Sequence, residues 1–321
     1  MMNFRPLPYP LETIQADTAN WGEAVIEFLL SALMLVVNLL PETVSEPFQY
    51  SFMQRALLTS LIVGAVCGVL SCFVVLKRWA LLGDAISHAV LPGVAIAYLV
   101  GLPFFIGAFV SGALTSLGIG AIERNTRIKE DAAMGIMFTG AFALGVVIIS
   151  QIATSTHLMH ILFGNVLGVR LAVLQLTLVS GIIALSAVFF FYKEFLLYVF
   201  DPVQASALGM NTAFIHYGLM LLLTLTIVAS LETVGIILVV AMLVTPGATA
   251  YLLTNSLPRM MLIAAGVGVL SAIVGLYCSF IFNLASGGAI VIVATVLFLL
   301  AFLFGQHGVL MRRLRRRAAR E

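Results

Sequence analysis

The feature that most constrains this chain is a succession of apolar runs, each roughly 20 residues long and bounded by charged or turn-forming residues. In helical form such a run is about 30 Å long, which matches the hydrocarbon thickness of a bilayer. Only 9% of the 321 residues are charged and 62% are hydrophobic, which leaves too little polar surface to cover a soluble globule. The sequence therefore predicts an all-α, polytopic transmembrane helical bundle and excludes a water-soluble fold.

About nine runs are long enough to cross the bilayer, within a range of eight to ten. The predicted spans cover residues 56–76, 80–100, 102–122, 132–153, 171–192, 213–230, 233–254, 260–282 and 287–305. Residues 28–40 are the open case, because this apolar run is short for a span and follows Glu23 and Glu27. We interpret it as an interfacial helix rather than a tenth crossing.

Positive charge is distributed unevenly between alternate loops. Thirteen of the 16 Lys and Arg residues fall in one set of loops and in the C-terminal tail, and cytoplasmic loops carry such an excess. We therefore expect a cytoplasmic C-terminus and an N-terminus outside. The chain then divides into an N-terminal extension (1–46), a transmembrane domain (47–305) and a basic tail (306–321) that binds anionic lipid head groups. A net charge of +2 gives no basic field for a nucleic-acid partner.

Ionisable residues inside the spans are informative, because each costs several kcal/mol at the bilayer centre unless it faces a cavity or a partner. Asp84 and His88 lie four positions apart in the second span, so a helix places them on one face. Counted from Arg78, His88 lies close to the midplane, where transporters hold their substrates. A carboxylate with an imidazole suits Mn, Fe or Zn better than Ca. The alternative is a structural pair in which the two side chains satisfy each other.

The seventh predicted span carries a second acidic residue, Glu232, at its outer mouth. The level of His88 is reached only about ten residues further along that helix, so the two residues are not expected to share an ion in one state. We interpret Glu232 as a plain interfacial carboxylate, with a role in an outer gate or entry step as the alternative. Two prolines, Pro92 and Pro246, are each expected to break or kink a helix.

The remaining histidines are weaker candidates for metal ligands. His157 and His160 stand three apart in an outer connection, a spacing that can chelate a metal but is more typical of surface or packing residues. His160 is kept as a candidate ligand. His216 and His307 have no acidic or cysteine neighbour at ligand spacing, so the sequence predicts no role for them.

A short segment between two spans, residues 201–209, has the pattern of a capped two-turn helix. Asp201 can cap its N-terminus, Pro202 suits the first helical position and Gly209 can end it. The alternatives are a docking surface for a cytoplasmic partner and a simple loop. The sequence contains no GxxxxGK[ST] phosphate loop and no hydrolase motif, so the chain is not expected to be an enzyme or to hydrolyse ATP itself.

Four segments resemble the membrane permeases of metal-ion ABC importers, which take up manganese, zinc or iron. They read PFQYSFMQRA (47–56), LLGDAISHAVLPG (81–93), HILFGN (160–165) and VGIILVVAMLVTPGATA (234–250). The resemblance extends over residues 47–305. It implies a homodimer of permeases, each bound to a separate ATP-binding cassette ATPase, with an extracytoplasmic metal-binding protein that delivers the ion.

The resemblance also implies roles for individual residues. Asp84 and His88 match the family's metal-coordinating positions in the translocation path, while Glu232 and His160 are weaker candidate ligands. Residues 201–209 resemble the coupling helix that fits a groove of the ATPase. The candidate coupling residues are Asp201, Pro202, Gln204, Leu208 and Gly209.

The choice of metal follows from two of the four segments. Residues 47–56 and 160–165 resemble manganese and manganese/iron members more than zinc members. We therefore predict a manganese permease in the bacterial inner membrane, with zinc or iron as the alternative within the family. The alternative outside it is a stand-alone proton-coupled metal carrier, in which Asp84 would bind a proton. No permanently bound cofactor is expected.

Overall fold

The computed structural model describes residues 12–39, 45–151 and 166–306. Within these ranges it consists of α-helices, two short 3₁₀ turns and connecting segments, without a β-strand, so the all-α prediction is confirmed. The helices are α1 (Glu12–Val37), α2 (Ser51–Leu76), α3 (Leu82–Ala89), α4 (Leu91–Val100), α5 (Phe104–Asn125), α6 (Glu130–Ser150), α7 (Leu171–Phe190), α8 (Tyr192–Phe200), α9 (Pro202–Ala207), α10 (Thr212–Leu253), α11 (Leu257–Phe282) and α12 (Ser286–Phe304).

Eight helical segments of the described chain are long and apolar enough to cross a membrane, with α3 and α4 counting together as one segment. Seven of these segments are 19 to 26 residues long, the length of a single crossing. Helix α10 is different, because its 42 residues correspond to about 63 Å of helix, twice the thickness of the hydrocarbon core. It therefore has the length of two spans.

Helix α10 reverses its direction at Gly235, whose dihedral angles (φ 80°, ψ 168°) are not helical. Before this point, the His216 ring packs against Trp79, which lies just beyond the end of α2. After it, Leu243 packs against Gly83 in the segment that follows Trp79. Both contacts fall within residues 79–83, so the second arm of α10 runs back along the first. Counting them separately gives nine spans among the described residues, in agreement with the prediction.

The two predicted proline interruptions have different outcomes. At Pro92 the helix is interrupted as predicted, but only at one residue, because α3 and α4 lie on either side of Val90, whose dihedral angles (φ −72°, ψ −18°) stay in the right-handed helical region. At Pro246 the helix is not broken, because helical dihedral angles continue through this residue, and a kink there stays a prediction. The following Gly247 lies so close to α2 that a Cβ would stand 2.5 Å from the Ser71 carbonyl oxygen. This packing keeps the arm helical although proline removes one backbone donor.

Helix α2, the α3–α4 segment and α10 are the most buried spans, while α6 and α12 are the least buried, at 17% and 22% of their most apolar stretches. Helix α2 approaches α11 closely at Gly68, where a Cβ would lie 2.6 Å from the Ala264 carbonyl oxygen. Such small-residue contacts are a common means of helix association in membranes. The outer faces of α6 and α12 are left to contact lipid or another protein.

Helix α1 begins at Glu12 and ends at Val37, so the predicted bounds of 28–40 are wrong. The helix also includes the more polar residues before position 28. Ile26 anchors it in a small apolar cluster with Leu58 and Leu174. Helix α1 is not among the segments suited to crossing. Its interfacial location, the orientation of the termini and the domain limits stay predictions. The basic tail lies almost wholly outside the described residues.

Candidate functional site

The break between α3 and α4 fixes the backbone around the candidate pair. Pro92 cannot donate a backbone hydrogen bond, so the helix cannot continue its regular ladder through this point. Ser111 of α5 donates a hydrogen bond of 2.6 Å to the Ala89 carbonyl oxygen at the break. One residue beyond Pro92, Gly93 lies against Gly107 of α5, and neither position has room for a Cβ. The end of α3 is therefore held in place by α5.

Asp84 and His88 lie on one face of α3, with 3.5 Å between Asp84 Oδ1 and His88 Nε2. This separation is longer than a good hydrogen bond, so the two groups do not fully satisfy each other. With metal–ligand bonds of about 2 Å, two ligand atoms that share an ion stand roughly 3 to 4 Å apart. The His88 ring is bordered by Phe138 and Phe142 of α6, whose ring centroids lie 5.4 and 5.6 Å from it. The pair therefore has the geometry of two ligands beside an aromatic wall.

The pair opens onto the surface of the single chain. The side chain of Asp84 is 49% exposed and that of His88 is 32% exposed. A carboxylate at this depth would cost several kcal/mol against hydrocarbon, so this face requires water or another protein surface. In the part of the chain that the structure describes, no three His, Cys, Asp or Glu side chains are placed to hold one ion. The chain by itself offers two side-chain ligands here.

Glu232 lies three residues before the reversal of α10, which agrees with its predicted position at the mouth of a span. It is half-buried and lines a small cavity with apolar residues that include Val90 and Phe104. Arg170, just before α7, acts on it electrostatically. Neither residue of the α3 pair lines this cavity, so the structure does not bring Glu232 into the pair. The candidate ligand His160 lies outside the described residues.

The predicted capped helix is present as α9. Asp201 accepts a hydrogen bond from the backbone N–H of Gln204 at 2.8 Å, and Pro202 occupies the first helical position. Gly209 ends the segment in the left-handed region at φ 79°. Val203, at 78% exposure, and Leu208, at 66%, point away from the protein. The segment therefore presents apolar side chains for contact, while its predicted coupling role stays a prediction.

A second acid–imidazole pair was missed by the sequence analysis. His216 at the start of α10 lies 3.7 Å from Glu123 at the end of α5, measured between Nε2 and Oε2. The two residues are far apart in the sequence, so no local spacing reveals them. The only available signal was that both are ionisable residues at the ends of predicted spans that face the same side of the membrane.

Comparison with known proteins places these features in a family. The sequence profile of the ABC 3 transport family matches residues 49–305. The manganese transport system membrane protein MntC of Listeria monocytogenes is 57% identical over 268 residues, which are 83% of this chain and 96% of that protein. The chelated iron transport system membrane protein YfeD of Yersinia pestis is 47% identical over 268 residues, 84% of this chain and 90% of that protein.

A solved structure agrees with these sequence relatives. The structure described as PsaBC from Streptococcus pneumoniae in complex with Fab contains a chain that is 44% identical to this one. It superimposes with a TM-score of 0.72 over 80% of this chain and 93% of that chain. This protein is therefore a multi-pass membrane protein that belongs to the ABC 3 transport family.

Proposed function

We propose that this chain is the membrane permease of an ATP-driven importer that carries a divalent transition metal, manganese in the first place, into the bacterial cytoplasm. The observation that carries the proposal is the Asp84–His88 pair, whose facing atoms lie 3.5 Å apart on α3, inside a predicted span and next to the break at Val90. The relatives named for manganese and for iron transport support the class of substrate. The chain acts as a transport subunit in the inner membrane, and ATP is hydrolysed by a separate protein.

The half-exposed pair suggests how the ion is held. Asp84 and His88 supply one oxygen and one nitrogen ligand, and the ion needs further ligands because four or more are usual. A second copy of the chain, packed against α3 and the poorly buried α6, would contribute the same pair across a twofold axis. The second copy would also cover the exposed Asp84 carboxylate, which would then no longer face lipid. The proposed transport unit is therefore a homodimer.

Selection of manganese cannot depend on ligand affinity alone. A site with an imidazole and a carboxylate binds zinc more tightly than manganese in the Irving–Williams order. Selectivity therefore has to come from the geometry of the dimer site and from the extracytoplasmic metal-binding protein that delivers the ion. Zinc or iron import by the same mechanism is the second candidate, and the iron-transport relative favours iron of these two.

Uptake of labelled manganese in cells that express the whole system tests the substrate and the site together. Wild-type uptake should be inhibited more strongly by unlabelled manganese than by zinc or iron. Asp84→Asn should abolish accumulation and leave assembly with the ATPase intact. Glu23→Gln, an acid-to-amide change at an exposed residue of α1, is the matched control and should have no effect. Normal uptake by Asp84→Asn would reject the site, and stronger inhibition by zinc would reject manganese.

The ATPase partner is tested through α9. Leu208 is exposed at the end of this segment, so Leu208→Asp places a charge on the proposed docking surface. In the purified complex, this variant should lose stimulation of ATP hydrolysis by the metal-loaded binding protein, whereas Leu208→Met should retain it. Unchanged stimulation in Leu208→Asp would contradict the docking role. Purification of the permease without any ATPase, together with proton-driven uptake, would favour the stand-alone carrier.

A further inference from the structure

The buried Glu123–His216 pair has no part in the proposed function, although its chemistry repeats that of the α3 pair. The His216 side chain is 1% exposed and that of Glu123 is 18% exposed. The facing atoms, His216 Nε2 and Glu123 Oε2, are both buried and have no hydrogen-bond partner among the described residues. Buried polar atoms without partners are costly, so their presence calls for an explanation such as a bound ion.

The other nitrogen of the His216 ring is occupied. Tyr198 of α8 forms a hydrogen bond of 2.6 Å with His216 Nδ1. In the tautomer that carries its proton on Nδ1, His216 donates to the Tyr198 oxygen and directs the Nε2 lone pair toward Glu123. Metal-binding histidines are commonly held in this way by a hydrogen bond to the second ring nitrogen.

We propose that Glu123 and His216 form a second, weaker site for the transported divalent cation, at the end of the permease where the ion leaves. The two pairs have the same donor types, and their ligand atoms are separated by similar distances, 3.5 Å in the α3 pair and 3.7 Å here. A carboxylate oxygen and an imidazole nitrogen at this separation fit one ion with bonds of about 2 Å. That the ion leaves the permease at this end rests on the proposed function, whereas the existence of a cation site here does not.

The charges around the second pair make it a site of low affinity. Lys77 lies 4.0 Å from the centroid of the Tyr198 ring, and Arg124 lies beside Tyr217. These two cations oppose a divalent ion, while Glu130 shares a hydrogen bond with Glu123 and adds a second carboxyl group beside it. Burial lowers the pKa of Lys77, and the neighbouring carboxylates counteract this effect. A site on a transport path has to release its ion, so a nearly balanced charge is suitable here.

The second pair also lies where the permease connects its two functional regions. Trp79 contacts the His216 ring edge-on, with centroids 5.4 Å apart, and stands five positions before Asp84. Tyr198 belongs to α8, which leads directly into the docking segment α9. A movement of α9 would therefore act on the ring of His216 through Tyr198. The second pair is placed to change its affinity when the ATPase moves.

Manganese binding to the purified permease–ATPase complex tests the site, with affinity tags removed and no nucleotide present. The complex should carry Asp84→Asn and His88→Ala, so that only the second pair can bind. We expect saturable binding of Mn²⁺ by equilibrium dialysis below about 1 mM. Electron spin-echo spectroscopy should show coupling to an imidazole nitrogen. Absence of saturable binding in this background would overturn the proposal.

Further variants in the same background separate a binding site from a structural contact. Glu123→Gln and His216→Gln should each weaken binding at least about tenfold, and His216→Gln should remove the nitrogen coupling. Glu194→Gln, which changes an acidic residue in a neighbouring apolar cavity, is the matched control and should have no effect. Binding that neither Glu123→Gln nor His216→Gln weakens would overturn the proposal.

Lys77→Met is expected to strengthen Mn²⁺ binding, whereas Glu123→Gln and His216→Gln weaken it. Loss of this positive charge should tighten Mn²⁺ binding several-fold, whereas a merely structural cluster would bind no better. Unchanged or weaker binding in Lys77→Met would contradict the assigned role of the charges. These measurements report binding, so they are separate from the uptake assay of the proposed function. Normal uptake by Asp84→Asn would reject the first site. The Mn²⁺ binding measurements would still decide whether the second site exists.

Discussion

The two acid–imidazole pairs share their chemistry but differ in how the fold builds them. Asp84 and His88 come from one turn of a single helix and are partly exposed on the surface of the chain. Glu123 and His216 come from two helices and are mostly enclosed, with one ring nitrogen bonded to Tyr198. We call them the open pair and the closed pair. In the proposed function the open pair needs a partner surface to complete its ligands, whereas the closed pair is already bordered by side chains of its own chain.

This difference indicates what each pair depends on. The open pair is positioned by its backbone, through the break at Val90 and the close contact between Gly93 and Gly107. The closed pair is positioned by side chains that surround an imidazole ring. Variants that disturb the backbone of α4 should therefore affect the open pair, and variants that disturb the surroundings of His216 should affect the closed pair.

The largest effect is expected when a ligand of the open pair is removed. Partners outside the ligand shell alone change metal affinity about 10- to 100-fold, so His88→Ala should lower manganese uptake at least about 100-fold. His216→Gln should lower uptake less, about tenfold, because the closed pair holds the ion only weakly. Uptake of labelled manganese at equal expression measures both. A greater loss in His216→Gln than in His88→Ala would reverse the proposed ranking of the two pairs.

The second largest effect concerns the backbone contact that supports the open pair. In Gly93→Ala the new methyl group would overlap the backbone at Gly107, and overpacking of this kind costs about 1–3 kcal/mol. We expect at least about a tenfold loss of uptake, with a lower thermal midpoint of the purified complex. Gly266→Ala in α11 is the control, because a Cβ there meets no atom within 4 Å. Full activity in Gly93→Ala would show that the break does not position the pair.

Sequence reasoning succeeded where the information was local. The open pair follows from the four-residue spacing of Asp84 and His88, and α9 follows from the cap at Asp201 and the left-handed glycine at its end. The number of spans follows from hydropathy. In each case the residues that predict the feature lie close together in the sequence, and tertiary contacts only preserve the local structure.

Sequence reasoning failed where tertiary packing decides the outcome. The closed pair joins residues from α5 and α10, so its geometry exists only once the helices have packed. At Pro246 the local rule predicts an interruption, but close packing of Gly247 on α2 maintains the helix. The reversal of α10 was predicted near residues 230–233, whereas the chain turns at Gly235, because glycine accepts the required dihedral angles.

A third prediction concerns the helix contact beside the closed pair. A Cβ at Gly120 would lie 2.8 Å from His216 Nε2 and 2.7 Å from Tyr217 Cε1, so Gly120→Ala should displace the imidazole. Manganese binding to the complex that lacks the open pair should weaken about five- to tenfold, a cost of roughly 1 kcal/mol or slightly more. In Gly118→Ala the new methyl group meets only the flexible end of Met137, so binding should be retained. Equal binding in both variants would contradict the placement of the ligand nitrogen.

The smallest effect is expected from Tyr198→Phe, which removes the hydroxyl group at His216 Nδ1 and keeps the aromatic ring. Trp79 and Tyr217 still border the imidazole, with centroids 5.4 and 5.3 Å away, so the ring should stay near its position. Its tautomer would no longer be fixed, and we expect manganese binding at the closed pair to weaken about threefold, below the usual range for such partners. Binding at the open pair should be unchanged, as measured in a complex carrying Glu123→Gln. A loss at the open pair would mean that Tyr198 acts through the fold as a whole, whereas a loss confined to the closed pair means that the hydroxyl supports the ligand nitrogen directly.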